Sequence, residues 1–273
     1  MTAGFGRTAV RDLAARHGIR PSKSLGQHFL VDPNLARAIA GDSGAGPGDL
    51  VAEVGAGLGS LTVALAATGA RVLAIEFDRA LLPALLEVTD AIEGIEVIAA
   101  DVTKIEWPAI LGDGTWTICA NLPYNIATSL VQQVLEGVPQ VKRMVVMVQR
   151  EVGERLVARA GDRGYGPLSL RVEYHATATA VRRVPPEVFW PRPTVESVVV
   201  RIDRRERPAE NVDGSRLWWV VDAMFAGRRK AVRSALRAIT DDPDVVLSAA
   251  GVDPRARAEH LTLAELARIA EVA

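Results

Sequence analysis

The chain predicts an α/β fold: a mostly parallel, Rossmann-like sheet covered on both faces, followed by a small all-α C-terminal domain. Three observations predict it. From residue 50 onward, nearly continuous apolar segments alternate with segments of helical spacing. A glycine-rich turn directly follows the first apolar segment and opens a helical one. Beyond Arg204-Arg-Glu-Arg-Pro208 the pattern changes, and no convincing strand follows.

The elements follow in order. Residues 8–17 carry a short basic helix pattern, and 21–30 read as an extended arm. Asp32 or Asp42 is the candidate cap of the next helix, with Pro33 suited to its first turn. Strands are predicted at 50–54, 71–75, 96–99, 116–120, 143–148, 168–174 and 195–202. Helices are predicted between them at 61–68, 79–89, 127–135 and 151–159. The last strands lie close together without a crossover helix, which predicts an antiparallel edge. Short helices at 216–225, 229–239, 243–250 and 263–271 make up the remainder. The expected domains are 1–204, beginning with the basic arm, and 205–273.

The 273 residues suffice for one α/β domain plus an appendage, and the 49% hydrophobic fraction is ordinary for a packed protein. No apolar run reaches membrane-spanning length, and the first residues lack the apolar core of a signal peptide. The single cysteine, Cys119, excludes a disulfide framework within the chain and fits a reducing cytoplasm. It sits in an apolar strand and reads as core. His17, His175 and His260 are scattered without metal-ligand spacing, so no metal is expected.

The formal net charge of −1 conceals a sorting along the chain. Residues 1–28 carry five basic side chains against one acid, and 29–100 three against ten. Residues 201–237 return to ten against five. A polyanion would meet the N-terminal arm and the 201–237 segment. Solvated arginine faces account for the same pattern equally well.

Glu53-Val-Gly55-Ala-Gly57-Leu-Gly59 is the sharpest local signal. Glycines there permit a tight turn and let backbone amides approach a ligand. Its spacing lacks the two residues a dinucleotide fingerprint has between its last glycines, which weakens a nicotinamide-dependent oxidoreductase reading. Glu76 ends the second predicted strand and Asp101 follows the third. At the carboxyl ends of open-sheet strands, one carboxylate would accept both ribose hydroxyl protons and the other an adenine amino proton. An adenosine-containing cofactor fits, and S-adenosylmethionine fits better than NAD, whose pyrophosphate needs further room.

Asn121-Leu-Pro-Tyr124 follows the fourth strand. Adenine's exocyclic nitrogen is a poor nucleophile because its lone pair is delocalised into the ring. The Asn121 side-chain oxygen and the Leu122 carbonyl would each accept an amino proton, returning that lone pair to the nitrogen. Pro123 stiffens the turn, and Tyr124 offers a ring for an unstacked base. A plain β-turn closing a strand is the alternative.

The ordered set of motifs resembles the ribosomal RNA adenine dimethyltransferases, in particular their small-subunit branch, whose activity confers kasugamycin sensitivity. It comprises Ser24-Leu-Gly-Gln-His-Phe-Leu30, the glycine turn, Glu76-Phe-Asp78, Ala100-Asp101 and Asn121-Leu-Pro-Tyr-Asn125. Phe189-x-Pro191-x-Pro193-x-Val195-x-Ser197 and Arg228-Arg-Lys-x-x-Arg233-x-x-Leu236 complete it. The resemblance implies a seven-stranded S-adenosylmethionine-dependent methyltransferase sheet. It implies methylation of N6 on two adjacent adenosines in a hairpin near the 3′ end of 16S rRNA, within an assembling 30S subunit. It places cofactor contacts on His28, Leu30, Gly55, Glu76, Asp101 and Asn121, beside Gly57 of the same turn, and makes Phe189 a second base-stacking ring opposite Tyr124. His28 stands where the family often has asparagine.

Arg229, Arg233 and Arg237 share one face of the predicted 229–239 helix, flanked by Arg228 and Lys230, and form the candidate RNA surface. Arg155, Arg159 and Arg163 repeat the spacing. Trp218 and Trp219 read as core packing. The expected protein is a cytoplasmic monomer. A large-subunit (23S) adenine dimethyltransferase of the macrolide-resistance type and a non-catalytic ribosome assembly factor are the alternatives.

Overall fold

The computed structural model describes residues 5–22, 25–123, 126–227 and 230–273. The chain forms two compact units, Met1–Gly153 with Ala178–Arg204, and Glu154–Thr177 with Arg205–Ala273. The second unit is discontinuous: it draws a segment from inside the stretch 1–204 that the sequence assigns to one domain.

The strands in chain order are β1 (Phe29–Leu30), β2 (Leu50–Val54), β3 (Arg71–Glu76), β4 (Ile95–Ala99), β5 (Trp116–Asn121), β6 (Val141–Gln149), β7 (Ala176–Val184), β8 (Phe189–Trp190) and β9 (Ser197–Arg204). Seven of them form one sheet in the order β4-β3-β2-β5-β6-β9-β7, and β1 pairs with β8 in a two-residue ribbon. β2 pairs in parallel with both β3 and β5, so the strand order reverses between β2 and β5. Ligands of open α/β sheets sit at such a reversal, outside the carboxyl ends of the strands. β6 and β9 pair antiparallel, as the missing crossover helix predicts. In β6, residues 144–148 are all buried, which is why that strand reads as an unbroken apolar run.

Helices α1 (Arg7–Arg16), α2 (Pro33–Ser43), α3 (Ser60–Ala66), α4 (Leu82–Thr89), α5 (Trp107–Leu111) and α6 (Ala127–Gly137) belong to the first unit. Asp32 is the cap of α2, its carboxylate accepting from Asn34 N at 2.8 Å and Leu35 N at 3.0 Å. The C-terminus of α6 is closed by Arg204. Its guanidinium donates to the carbonyls of Val134 (2.6 Å), Leu135 (2.8 Å), Val138 (3.1 Å) and Val141 (2.7 Å). Of these, Leu135 has no i+4 backbone donor because residue 139 is proline, while Val134 and Val138 also accept from Val138 N and Val141 N, so a side chain from the last strand completes the helix end.

The chain then runs through α7 (Arg150–Val157) to α8 (Pro167–His175), α9 (Gly214–Ala226), α10 (Val232–Leu236), α11 (Pro243–Ala250) and α12 (Leu263–Val272). The second unit buries Leu217, Val221, Met224, Leu236, Leu247 and Leu266 in a core of its own. Trp218 packs on Tyr174 with centroids 5.3 Å apart and lies under the Arg171 guanidinium, whereas Trp219 is about half exposed.

Three expectations are corrected. Residues 168–174 are helix α8, not a strand: Pro167 occupies the first helical turn and Ser169 Oγ accepts from Gly166 N at 3.2 Å. The seventh strand is β7, an edge strand whose alternating alanine and threonine residues are mostly exposed, so it lacks the apolar signature of a buried strand. α10 spans only Val232–Leu236, because Ala231 is extended and bridges to Arg257. Lys230 therefore precedes this helix, Arg233 lies in it and Arg237 is at its C-cap, while Arg229 lies outside the described residues. α7 ends at Val157, which leaves Arg159 and Arg163 beyond it; Arg159 faces Glu173 at 3.5 Å.

Candidate active site

The carboxyl ends of β2, β3, β4 and β5 lie side by side in the sheet, and a cavity of about 320 Å³ opens against them. The turn after β2 forms its floor. Gly55, Gly57 and Gly59 have φ of 73°, 59° and 84°, a region that residues with a Cβ rarely enter. A Cβ on Gly57 would lie 3.2 Å from the Phe29 ring, so glycine also permits the arm to close on the turn.

Glu76 ends β3 and is almost fully buried. Its Oε2 accepts from Gly57 N and its Oε1 from Asp78 N, both at 2.8 Å. Burial raises its pKa above the ordinary value, while those two N–H groups oppose the rise. Each carboxylate oxygen keeps a second lone pair, so the pair of oxygens still fits a vicinal diol. Asp101, past the end of β4, accepts from Thr103 N (3.1 Å) and Thr103 Oγ1 (2.6 Å) and faces Lys104 at 3.2 Å. The Thr103 hydroxyl chiefly, with Lys104, holds its carboxyl below the ordinary range, so it is an ionised acceptor at the rim.

Asn121 ends β5, and its Nδ2 donates to the His28 carbonyl at 3.0 Å. Committing the nitrogen orients the carboxamide and assigns Oδ1 to its other side. Leu122 N donates to Met147 O at 3.1 Å, and the Pro123 ring packs beside Gly55. His28, Leu30, Gly55, Gly57 and Glu76 all line the cavity, as do Asp101, Asn121, Leu122 and Pro123. Sequence positions 93 residues apart thus meet at the Asn121–His28 bond. Ser60 Oγ donates to the Leu30 carbonyl at 2.7 Å, fastening the arm to α3.

Phe189 is not brought to this cavity. In the β1–β8 ribbon, Leu30 faces Phe189 and Phe29 faces Trp190. Alternation sends the first pair into the core beneath the sheet and the second towards α1, so Phe189 is 1% exposed. It is a packing residue in this arrangement, not a ring presented to a base. Tyr124, Arg228 and Arg229 lie outside the described residues. In the second unit Lys230 and Arg237 are exposed, and Arg233 is paired with Asp244.

Glu53 enters the sequence reading only as the start of the glycine motif. It is fully buried, lines the cavity, and its Oε2 has no hydrogen-bond partner among the described residues. Burial, with the nearby Glu76 charge adding to it, pushes its pKa up to about 8. An acid inside an apolar strand is the signal that exposes such a residue. Cys119, its register partner on β5, is fully buried, and burial pushes its thiol up, in keeping with a core role. Among the described residues, no group of three or more histidine, cysteine, aspartate or glutamate side chains is placed to hold a metal, and no helix is long and apolar enough to cross a membrane.

This sheet order, with a glycine turn after β2 and acids at the ends of β3 and β4, defines a methyltransferase fold. The crystal structure of the 23S rRNA methyltransferase ErmE shares it at TM-score 0.71 and 26% identity, over 89% of this chain and 98% of that one. A dimethyladenosine transferase from Plasmodium falciparum has the same fold at TM-score 0.72 and 23% identity, over 89% and 96%. Residues 19–273 match the ribosomal RNA adenine dimethylase family. The chain is 44% identical over 270 residues to the ribosomal RNA small subunit methyltransferase A of Kineococcus radiotolerans, covering 96% of this chain and 89% of that protein. It is 41% identical over 275 residues to the protein of that name from Acidothermus cellulolyticus, covering 98% and 94%. The chain belongs to the ribosomal RNA adenine dimethylase family and is an adenine dimethyltransferase.

Proposed function

We propose that the protein transfers methyl groups from S-adenosylmethionine to N6 of two adjacent adenosines in a hairpin near the 3′ end of 16S rRNA. Its substrate is the immature 30S subunit, and it acts as a cytoplasmic monomer. The observation that carries this reading is the Asn121 carboxamide, pinned through its nitrogen at the strand reversal so that its oxygen is left as an acceptor. The names of the relatives more than 40% identical favour the small subunit over the large one.

The residues suit an adenosine-bearing cofactor on three counts. Glu76 offers two oriented oxygens to a diol, Asp101 an ionised acceptor to an amine, and Glu53 lines the same cavity as a fully buried acid. When bound, S-adenosylmethionine supplies an electrophilic methyl group activated by its sulfonium. Asn121 Oδ1 and the Leu122 carbonyl each accept an amino proton of the target adenine, drawing the nitrogen towards tetrahedral geometry. Pro123 holds that turn against Gly55, and Tyr124 stacks on the unstacked base. The protein thus works by positioning and by excluding water rather than through a strong base. Arg228, Arg229, Lys230, Arg233 and Arg237 hold RNA phosphates.

The test is tritiated methyl transfer to 30S particles lacking the modification, with nucleoside analysis of the product. Dimethyladenosine in 16S rRNA is expected. Label confined to 23S rRNA would transfer the assignment to the large subunit, and binding without label would make the protein an assembly factor. Asn121→Ala should lower kcat by roughly a hundredfold, as loss of an oriented acceptor or donor does elsewhere; unchanged turnover would remove the proposed role.

A further inference from the structure

Residues 27–30 touch both halves of the cavity. On the cofactor side, Gln27 Nε2 donates to Asp78 Oδ2 at 2.7 Å and the Leu30 carbonyl accepts from Ser60. On the acceptor side, the His28 carbonyl receives Asn121 Nδ2, and the His28 ring Nδ1 lies 2.7 Å from the Pro191 carbonyl. A carbonyl oxygen can only accept, so Nδ1 carries the proton and donates.

The Pro191 segment is itself held from the arm. The Arg7 guanidinium donates to the carbonyls of Glu187 and Phe189, and the Arg11 guanidinium stands 6.0 Å over the Trp190 ring. β1 and β8 pair directly before Pro191. His28 is therefore anchored to this braced ribbon by its side chain while its main-chain oxygen orients Asn121. Losing the ring's bond removes one tie on residue 28, whose peptide oxygen the carboxamide hangs on.

We infer that His28 is a positioning residue for methyl transfer: its imidazole, tied to the Pro191 carbonyl, holds the His28 peptide oxygen where it orients the Asn121 carboxamide. The inference rests on the proposed role of Asn121 and adds a function for His28 distinct from contact with the cofactor. Misplacing a reacting group by about an ångström costs up to about a hundredfold in rate, whereas cofactor affinity, set by Glu76 and the glycine turn, need not follow.

The experiment compares wild type, His28→Phe and His28→Asn. Phenylalanine keeps a ring of similar size and loses the donor; asparagine restores an N–H donor on a shorter side chain. Steady-state methyl transfer gives kcat and KM, and calorimetric titration with S-adenosylhomocysteine gives cofactor affinity. His28→Phe should lose about tenfold or more in kcat while S-adenosylhomocysteine affinity stays within about threefold, and His28→Asn should recover most of the loss. The side-chain amide signals of Asn121 in a nitrogen–proton correlation spectrum read the clamp without turnover. They should shift, and exchange faster, in His28→Phe.

Wild-type kcat in His28→Phe, or a loss confined to cofactor affinity, would overturn the inference. So would failure of His28→Asn to improve on His28→Phe, or Asn121 signals identical in wild type and His28→Phe. A wild-type protein without methyl transfer would instead defeat the proposed function, and the Asn121 signals would still decide whether His28 orients the carboxamide.

Discussion

At Glu76 two backbone N–H groups, from Gly57 and Asp78, hold one carboxylate oxygen each. An acceptor is required on both oxygens, so Glu76→Gln would set an amide N–H against a backbone N–H on one side. Calorimetric titration with S-adenosylhomocysteine should show affinity reduced about tenfold or more, equivalent to about 1.4 kcal/mol. An unchanged dissociation constant would exclude the ribose role. Glu53 yields a prediction on stability. Its pKa is raised from the ordinary 4.5 to about 8, so folding favours its neutral form. The stabilisation associated with that proton is fully present below 4.5 and is lost as pH rises through about 8, at about 1.4 kcal/mol per pH unit in between. Glu53→Gln, neutral throughout, should flatten the fall in Tm between pH 5 and pH 8; equal slopes in both proteins would show that Glu53 ionises freely in the fold.

Among the elements, α6 depends on a residue far from it in sequence. Arg204 donates four hydrogen bonds to carbonyls at and just beyond the end of that helix. Removing a half-buried cation takes a charged donor from all four carbonyls; those of Val134 and Val138 keep backbone donors, but Leu135 has no i+4 donor because residue 139 is proline, and burial already lowers the Arg204 pKa. Arg204→Ala should therefore destabilise the first unit by about 3 kcal/mol, read as a lower denaturant midpoint with unchanged m-value. A shift below about 0.5 kcal/mol would mean that water replaces the guanidinium. The β1–β8 ribbon makes the complementary point. Two residues per strand suffice to send Phe189 and Trp190 to opposite sides, and a one-residue slip would exchange them.

For the molecule as a whole, the sorted charge bears on RNA. Lys230 and Arg237 are exposed in the second unit, and Arg233 is engaged by Asp244. Each phosphate contact releases counterions, so the slope of log K against log salt should fall by about 0.7 to 0.9 for each contacting cation removed. The double substitution of Lys230 and Arg237 by alanine should thus weaken binding to 30S particles and reduce the slope by roughly 1.4 to 1.8. An unchanged slope would place the RNA elsewhere.

The parallel strands, the glycine turn, Glu76, Asp101 and the Asn121 turn were legible in the linear order, because each depends on local chemistry at a strand end. Buried strands need apolar runs, tight turns need glycine, and ligand acids follow the strands that present them. Helix α8 was misread because its alternation mimics a strand, and β7 was missed because an edge strand need not be apolar. Other features arise from contacts between distant residues and left no local trace. The carboxamide of Asn121 is oriented by a peptide from the N-terminal arm, Phe189 is buried by the register of a two-residue ribbon, and Glu53 has its proton held by the packing around it. Local patterns specify which residues stand at the ends of strands, whereas their orientation and protonation follow from partners that meet only when the chain has folded.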